Sequence, residues 1–182
     1  MSSEPHVALL RGINVGGHKM IPMAELRAAL ESAGMSDVRT YIQSGNVVFC
    51  PAGAAAGEAD LVDAVRSVVG DRFDLDVPVV VRSLVDIERI AGAHPDAGRE
   101  VPPKWLHVYL LDRSADPADA PDPGRFGDDR LVVDGREIYA AYPSGSGRSK
   151  LTLDIVERSF GVTATARNLS TLAAIVALGR RV

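Results

Sequence analysis

The apolar residues of the first 82 positions change their spacing several times, and the order of these changes limits the folds that the chain can adopt. Strand-like apolar runs lie at Val7–Leu10, Val38–Ile42, Val47–Phe49 and Val77–Val81. Apolar residues recur at helical spacing over Pro22–Ala33 and again over 61–69. The predicted element order is therefore β-α-β-β-α-β.

This order is typical of a ferredoxin-like unit, in which two helices cover one face of a four-stranded antiparallel sheet. The first and last strands are apolar at successive positions rather than at alternate ones, which predicts that both of their faces are buried. We therefore expect an α+β protein. A ferredoxin-like βαββαβ subdomain, residues 1–82, would pack against a smaller α+β subdomain, residues 83–182, to form one compact unit.

The second half of the chain has a less regular pattern. Its predicted elements are a helix at Leu84–Ala91, a strand at Trp105–Leu111, a hairpin of 130–133 with 138–142 around Asp134-Gly135, and helices at Ser149–Phe160 and Ser170–Leu178. Proline and aspartate are frequent from Ser114 to Asp129, which predicts a solvated loop. Alanine and glycine indicate another loop at 51–58. No internal repeat at a fixed period is visible in the sequence.

Composition limits the class of protein. The 182 residues are 46% hydrophobic, and no apolar run approaches the roughly twenty residues of a membrane helix. A single cysteine, Cys50, is compatible with a reducing compartment. We therefore expect a cytoplasmic protein that does not bind membranes. The four histidines lack the spacing of metal ligands, so neither a metal nor a cofactor is expected.

The distribution of charge indicates the kind of ligand. The net charge of the chain is −4, yet residues 1–49 are balanced and residues 140–182 carry +4. Duplex nucleic acid needs an extended cationic surface, which an acidic protein with one modestly basic end does not offer. A small anionic metabolite or a nucleotide fits this distribution better.

Two glycine-bearing polar segments, Leu10–Gly17 and Ser144–Lys150, are predicted to lie at helix starts, where backbone N–H groups favour anions. Strands one and two of a βαββαβ unit are parallel, so the loop after strand one and the 43–46 turn leave the sheet at the same end. Polar residues there and near the C-terminus form the predicted ligand-binding set. The set is Arg11, Asn14, Lys19, Gln43, Ser44, Asn46, Arg148, Lys150, Arg167 and Asn168. Internal hydrogen bonds of tight turns, and acidic partners for the cations, are the structural alternatives.

Several sequence blocks resemble a bacterial domain-of-unknown-function family. The blocks are 10–17 (LRGINVGG), 23–26 (MAEL), 41–49 (YIQSGNVVF), 147–151 (GRSKL) and 165–168 (TARN). The resemblance implies a ferredoxin-like α+β fold, and it assigns no reaction, substrate or catalytic residue. In that family tryptophan, asparagine and threonine usually follow the last block, whereas this chain has Leu169-Ser170-Thr171.

The favoured function is binding of a small anionic ligand, which can be phosphorylated, at a polar rim between the two subdomains. Neither a Walker A loop nor a G-x-S-x-G elbow is present, so no catalytic residue is assigned and enzymatic activity stays open. The alternative is a protein-interaction or homo-oligomeric module without catalysis. RNA binding is a minor alternative, because only Tyr41 and Phe49 are available as stacking aromatics on the sheet.

Overall fold

The computed structural model describes residues 4–52 and 57–182, so part of the predicted 51–58 loop, residues 53–56, lies outside the described residues. The first strands and helices are β1 (His6–Leu10), α1 (Met23–Ser32), β2 (Ser36–Tyr41), β3 (Asn46–Cys50), α2 (Glu58–Phe73), β4 (Val79–Ser83) and α3 (Leu84–Gly92). They are followed by β5 (Leu106–Leu111), β6 (Arg130–Asp134), β7 (Glu137–Ala141), α4 (Leu153–Phe160), β8 (Ala164–Asn168) and α5 (Leu169–Gly179).

The protein is an α+β protein with two four-stranded sheets, and neighbouring strands in both sheets pair in the antiparallel direction. The chain divides into two compact units, Met1–Ile87 with Ala174–Val182, and Glu88–Ala173. Residues 83–87 and 174–182 belong to the first unit here, whereas the sequence-based division at 82/83 assigned them to the second half. The difference arises because both unit boundaries fall inside helices, α3 and α5.

The first unit has the predicted β-α-β-β-α-β order, and its strands are arranged β2-β3-β1-β4. On one face of the sheet, alternate residues such as Ala8, Leu10 and Phe49 form a core with α1 and α2. The residues between them, including Val7 and Leu9, are also fully buried. The prediction that β1 is covered on both faces is therefore confirmed.

The first unit also contains a very close approach between α3 and α5. A Cβ atom built at Gly179 would lie 2.5 Å from Cδ1 of Leu84, which is closer than real side-chain contacts. With any larger residue at this position of α5, the Leu84 side chain would have to shift.

The second unit has the same sheet topology as the first, with strands arranged β6-β7-β5-β8. Its central strand carries the segment His107–Leu111 (HVYLL), and the central strand of the first unit carries His6–Leu10 (HVALL). Each segment pairs in the same register with the last strand of its own sheet. Val7 lies opposite Arg82 of β4, and the equivalent residue Val108 lies opposite Arg167 of β8. The fold therefore contains a structural repeat that no fixed sequence period revealed.

The two halves of this repeat also end alike, because a helix directly follows the last strand of each sheet. The hydroxyl of Ser83 accepts the N–H of Asp86 at 3.1 Å at the start of α3. Asn168 Oδ1 accepts the N–H of Thr171 at 2.8 Å at the start of α5. Such side-chain acceptors satisfy N–H groups that have no partner inside the helix.

The halves differ because the described part of the second unit has no counterpart of α1. The chain between β5 and β6, all of it described, contains two short 3₁₀ turns, Pro117–Asp119 and Pro123–Arg125, and neither a strand nor an α-helix. The predicted Ser114–Asp129 loop is therefore present. It is not wholly solvated, however, because Ala115 and Phe126 are buried in the core that α4 and the second sheet form together.

Candidate functional site

The structure brings together the two polar loops of the first unit that the sequence placed at one end of the sheet. The Asn14 side chain joins them: its Nδ2 donates to the carbonyl of Ile21 at 3.0 Å and to that of Gln43 at 2.8 Å. The N–H of Ile21 donates in turn to Asn14 Oδ1 at 2.8 Å. The amide of Asn14 thus has three internal hydrogen bonds, and its contribution is to loop structure.

Other predicted ligand groups of this unit also have internal partners. Asn46 is buried, and its Nδ2 donates to the Tyr41 carbonyl at 3.0 Å and to Ser44 Oγ at 2.9 Å. Lys19 Nζ donates to the carbonyl of Asp76 at 3.2 Å. In this part of the predicted set, polar residue types therefore reflect mainly the hydrogen bonding of tight turns.

Gly45 allows the two loops to meet. Its φ is +76°, and a Cβ atom there would lie 2.8 Å from Leu10 Cβ and 2.9 Å from Ile13 Cδ1. The N–H of Leu10 donates to the Gly45 carbonyl at 2.9 Å. Both conformation and space therefore require glycine at this point of the turn.

The same pair of loops exposes apolar side chains. Val15 is 64% exposed, Met20 63% and Ile42 52%, and they account for three of the five large exposed hydrophobic residues in the part of the chain that is described. Ile42 has a positive φ of 49°. This conformation is unfavourable for a β-branched residue. Apolar groups on constrained loops are a feature of surfaces that contact other molecules.

In the second unit, the segment around Arg148 and Lys150 does not form the start of a helix. The sequence predicted a helix from Ser149, but α4 begins at Leu153 and Thr152 Oγ1 accepts the N–H of Ile155 at 3.4 Å. A short 3₁₀ turn, Ser146–Arg148, precedes it. The prediction of cations at a helix N-terminus is therefore wrong. The side-chain oxygens of Ser149 and Thr152 accept backbone N–H groups, and the helix begins only after Thr152.

The 144–151 loop, which carries the two cations, is fixed at several points. Ser144 Oγ donates to Asp128 Oδ2 at 2.8 Å, and Ser149 Oγ donates to Asp129 Oδ2 at 2.5 Å. The N–H of Leu151 donates to Ser149 Oγ at 2.8 Å. The two carboxylates are thus held by serine hydroxyls, which are neutral donors.

Two buried tyrosines hold the end of this loop. The hydroxyl oxygens of Tyr109 and Tyr142 are 2.5 Å apart, so one hydroxyl donates to the other, and the carbonyl oxygen of Leu151 lies 3.1 Å from the Tyr142 hydroxyl and 3.4 Å from the Tyr109 hydroxyl. Burial is the largest cause that raises the pKa of both hydroxyls, so both stay protonated and able to donate. The backbone immediately after Lys150 is thereby anchored to the core.

The side chains of Arg148 and Lys150 line a cavity of about 390 Å³. The remaining lining includes Arg125, Asp128 and Asp129, three residues that sequence reasoning missed. Neither Arg148 nor Lys150 has a side-chain hydrogen bond or ion pair with another residue that the structure describes. The cavity thus combines these two cations, a third cation from the Arg125 guanidinium, and two hydrogen-bonded carboxylates.

Arg167 and Asn168 do not join this cavity. Asn168 caps α5, so its side-chain oxygen is already used. Arg167 Nη1 donates to Thr165 Oγ1 and to the Ala166 carbonyl, both at 2.8 Å. Burial lowers the pKa of Arg167 to about 10, which still leaves the guanidinium charged at neutral pH.

Other kinds of site receive no support from the described residues. No group of three or more histidine, cysteine, aspartate or glutamate residues among them is arranged to hold a metal ion. Phe49, one of the two predicted stacking aromatics, is fully buried in the core on the helix side of its sheet. No helix in the described ranges 4–52 and 57–182 has the length and apolarity needed to cross a membrane.

The fold and these loops define the class as α+β proteins with two four-stranded antiparallel sheets. The chain belongs to the family described as "Protein of unknown function (DUF1697)", which matches residues 4–139. The blocks at 147–151 and 165–168 lie beyond the matched residues.

A solved structure has a similar fold, that of the conserved bacterial protein SP0830 from Streptococcus pneumoniae. The TM-score is 0.71 at 24% sequence identity, over 96% of this chain and 98% of that chain. At this identity the likeness concerns the fold alone. No curated protein matches the chain.

Proposed function

We propose that the second unit binds a small anionic ligand, such as a phosphorylated metabolite, in the cavity lined by Arg125, Arg148 and Lys150. The observation that carries the proposal is that Arg148 and Lys150 lack side-chain partners among the described residues although their loop is firmly anchored. An anchored loop avoids the entropy cost of ordering its backbone when the ligand binds. Guanidinium and ammonium groups are the usual partners of phosphate and carboxylate.

The acidic residues of the cavity influence which anion fits. Asp128 and Asp129 repel an anion, but three cations against two carboxylates leave the lining net positive. Each of these carboxylates accepts a hydrogen bond from a serine, which holds one of its oxygens on the protein. A ligand that carries hydroxyl groups beside its anionic group would satisfy the remaining acceptors, which favours sugar phosphates over inorganic phosphate.

The ten-residue site predicted from the sequence is larger than this cavity, and binding by its members in the first unit is a separate proposal for that unit. Arg11, Gln43 and Ser44 remain members of the proposed set in the first unit. Asn14, Asn46 and Asn168 are less suited, because their amides already bond the protein. We propose binding and assign no reaction, and we propose a cytoplasmic location in keeping with the single buried cysteine.

Thermal unfolding in the presence of anions tests the proposal. The panel comprises inorganic phosphate, sulfate and glucose 6-phosphate, added to the wild type and to Arg148→Ala/Lys150→Ala. A ligand at a hundred times its Kd stabilises the folded protein by about 2.7 kcal/mol, which gives a clear rise in Tm. We expect this rise in the wild type and its loss in the double variant.

A matched control removes two positive charges elsewhere. Arg66→Ala/Arg158→Ala changes the net charge equally, but neither residue lines the cavity. We expect this control to keep the ligand-induced rise in Tm. A rise that both double variants lose equally would show a nonspecific charge effect, and no rise in the wild type would reject the proposal for this panel.

A second candidate function is self-association through the loops that expose Val15, Met20 and Ile42. The structural observation in its favour is that hydrogen bonds of Asn14 join the two loops while the apolar side chains face solvent. Sedimentation equilibrium of the wild type and of Val15→Ser/Met20→Ser distinguishes this candidate from anion binding. A dimer that dissociates in the variant would support it, and a monomeric wild type would reject it.

A further inference from the structure

A second cavity of the same unit, about 640 Å³ in volume, combines cations with rigid apolar walls. Arg99 and Arg130 supply guanidinium groups and Trp105 supplies an indole ring. The other lining residues are Glu100, Val101, Pro102 and Pro143. None of these lining residues belongs to the set that the sequence singled out or to the cavity around Arg148.

A shared carboxylate holds the two guanidinium groups. Asp96 Oδ1 lies 2.7 Å from Arg130 Nη2 and 3.5 Å from Arg99 Nη1, and its side chain is only 6% exposed. Each guanidinium has five N–H donors, so one contact with Asp96 leaves most of them available. The buried carboxylate therefore orients two donor-rich groups at the cavity without using up their capacity.

Asp96 is itself held in place by a neighbouring histidine. The backbone N–H of Asp96 donates to His94 Nδ1 at 3.2 Å, and His94 Nε2 lies 3.3 Å from the carbonyl of Ala140, on the central part of the sheet. The two arginines are therefore connected to the sheet through buried groups. This arrangement resembles a preformed anion site more than a chance surface pair, whose partners are both exposed.

The remaining walls indicate the rest of the ligand. Trp105 is half-buried, and two prolines and a valine line the same cavity, so a flat apolar group can lie there with little loss of side-chain entropy. Lys104 Nζ is 5.2 Å from the centre of the Trp105 ring and adds positive charge next to it. An aromatic ring that carries an anionic group matches these features.

Glu100 distinguishes among such ligands. Its carboxylate forms no ion pair within the described chain and lines the same cavity. It would repel the anionic group of a simple aromatic acid but accept hydrogen bonds from ribose hydroxyls or from the exocyclic amine of a base. We therefore propose that this cavity binds a nucleoside monophosphate, with its phosphate at Arg99 and Arg130 and its base near Trp105.

The only tryptophan of the chain is Trp105, so intrinsic fluorescence reports directly on this cavity. The probes are AMP, GMP, CMP and UMP, with adenosine, inorganic phosphate and benzoate as part-ligands. We expect saturable quenching by at least one nucleotide, and at least tenfold weaker binding of each part-ligand. Arg99→Ala should raise the Kd of that nucleotide about tenfold, as expected for a hydrogen bond between charged groups.

Further variants distinguish this cavity from the one in the proposed function. They also show whether a loss of binding is caused by unfolding of the variant. Glu100→Gln, which keeps the shape of the side chain but removes its charge, should weaken the nucleotide without weakening inorganic phosphate. Arg148→Ala/Lys150→Ala should leave the nucleotide Kd unchanged, and Arg158→Ala serves as the matched single-charge control. Quenching that is lost in Arg148→Ala/Lys150→Ala but retained in Arg99→Ala would overturn the inference. Absence of quenching, or benzoate that binds as tightly as the nucleotide, would overturn it as well.

Discussion

The backbone N–H of Asp96 donates to Nδ1 of His94 at 3.2 Å. This imidazole nitrogen is therefore an acceptor, and the neutral ring carries its proton on Nε2. Burial is the largest cause that lowers the pKa of His94. The folded protein therefore binds a proton here less readily than the unfolded chain does.

This difference sets the sign of a pH effect on stability. Below about pH 6.5 the unfolded chain takes up a proton that folded His94 resists, so the free energy of unfolding falls as the pH decreases. Burial also lowers the pKa of His107, which adds to the same trend. Denaturant unfolding at pH 5.5 and pH 7.5 should show a smaller difference for His94→Gln than for the wild type. Equal differences in the two proteins would contradict this role of His94.

Gly45→Ala should destabilise the first unit strongly, because the new Cβ would overlap Leu10 and Ile13 at a backbone φ of +76°. We expect a loss of about 3 kcal/mol, from overpacking together with the left-handed conformation. Gly12→Ala is the matched control, since Gly12 has a φ of +68° and no atom near its Cβ position. It should cost only about 1 kcal/mol. Equal losses in the two variants would show that the contacts with Leu10 and Ile13 do not matter.

Gly179→Ala tests the approach of α5 to Leu84. A methyl group at this site would overlap the Leu84 side chain, and we expect destabilisation by about 1–3 kcal/mol, measured by chemical denaturation. Gly179→Ala and Leu84→Ala together should cost less than the sum of the two single substitutions, because Leu84→Ala removes the overlapping atoms. Gly92→Ala, where no described atom lies within 4 Å of the new Cβ, should be neutral or stabilising. Additive effects of Gly179→Ala and Leu84→Ala would argue against the close contact.

Sequence patterns were sufficient for most of the fold. The predicted β-α-β-β-α-β order is confirmed, as is the hairpin around Asp134-Gly135. Strand β8 was missed because Ala164–Asn168 is short, largely polar and at a sheet edge, where alternation is weak. The structural repeat was missed because equivalent strands share register but only one short segment of similar sequence.

The candidate sites were harder to predict, for a physical reason. The sequence showed that the loops of Asn14 and Asn46 are polar, but not that neighbouring carbonyls already bind their amides. Arg99 and Arg130 carried no local signal, because only the fold brings both to Asp96. Residue type predicts which groups can bind a ligand, whereas the availability of those groups depends on tertiary contacts.

Asn14→Asp should separate the structural role of Asn14 from any role in binding. The carboxylate can still accept the N–H of Ile21, but it cannot donate to the carbonyls of Ile21 and Gln43. Two carbonyl oxygens would then face a negative charge, and we expect a loss of about 2–3 kcal/mol in the free energy of unfolding. Asn14→Gly keeps the positive φ of this position accessible but removes all three side-chain hydrogen bonds. If the role of Asn14 is to join the loops, both variants should lower Tm while the second unit keeps its anion-dependent rise in Tm. A variant that binds anions less well at unchanged stability would instead place Asn14 in a ligand site.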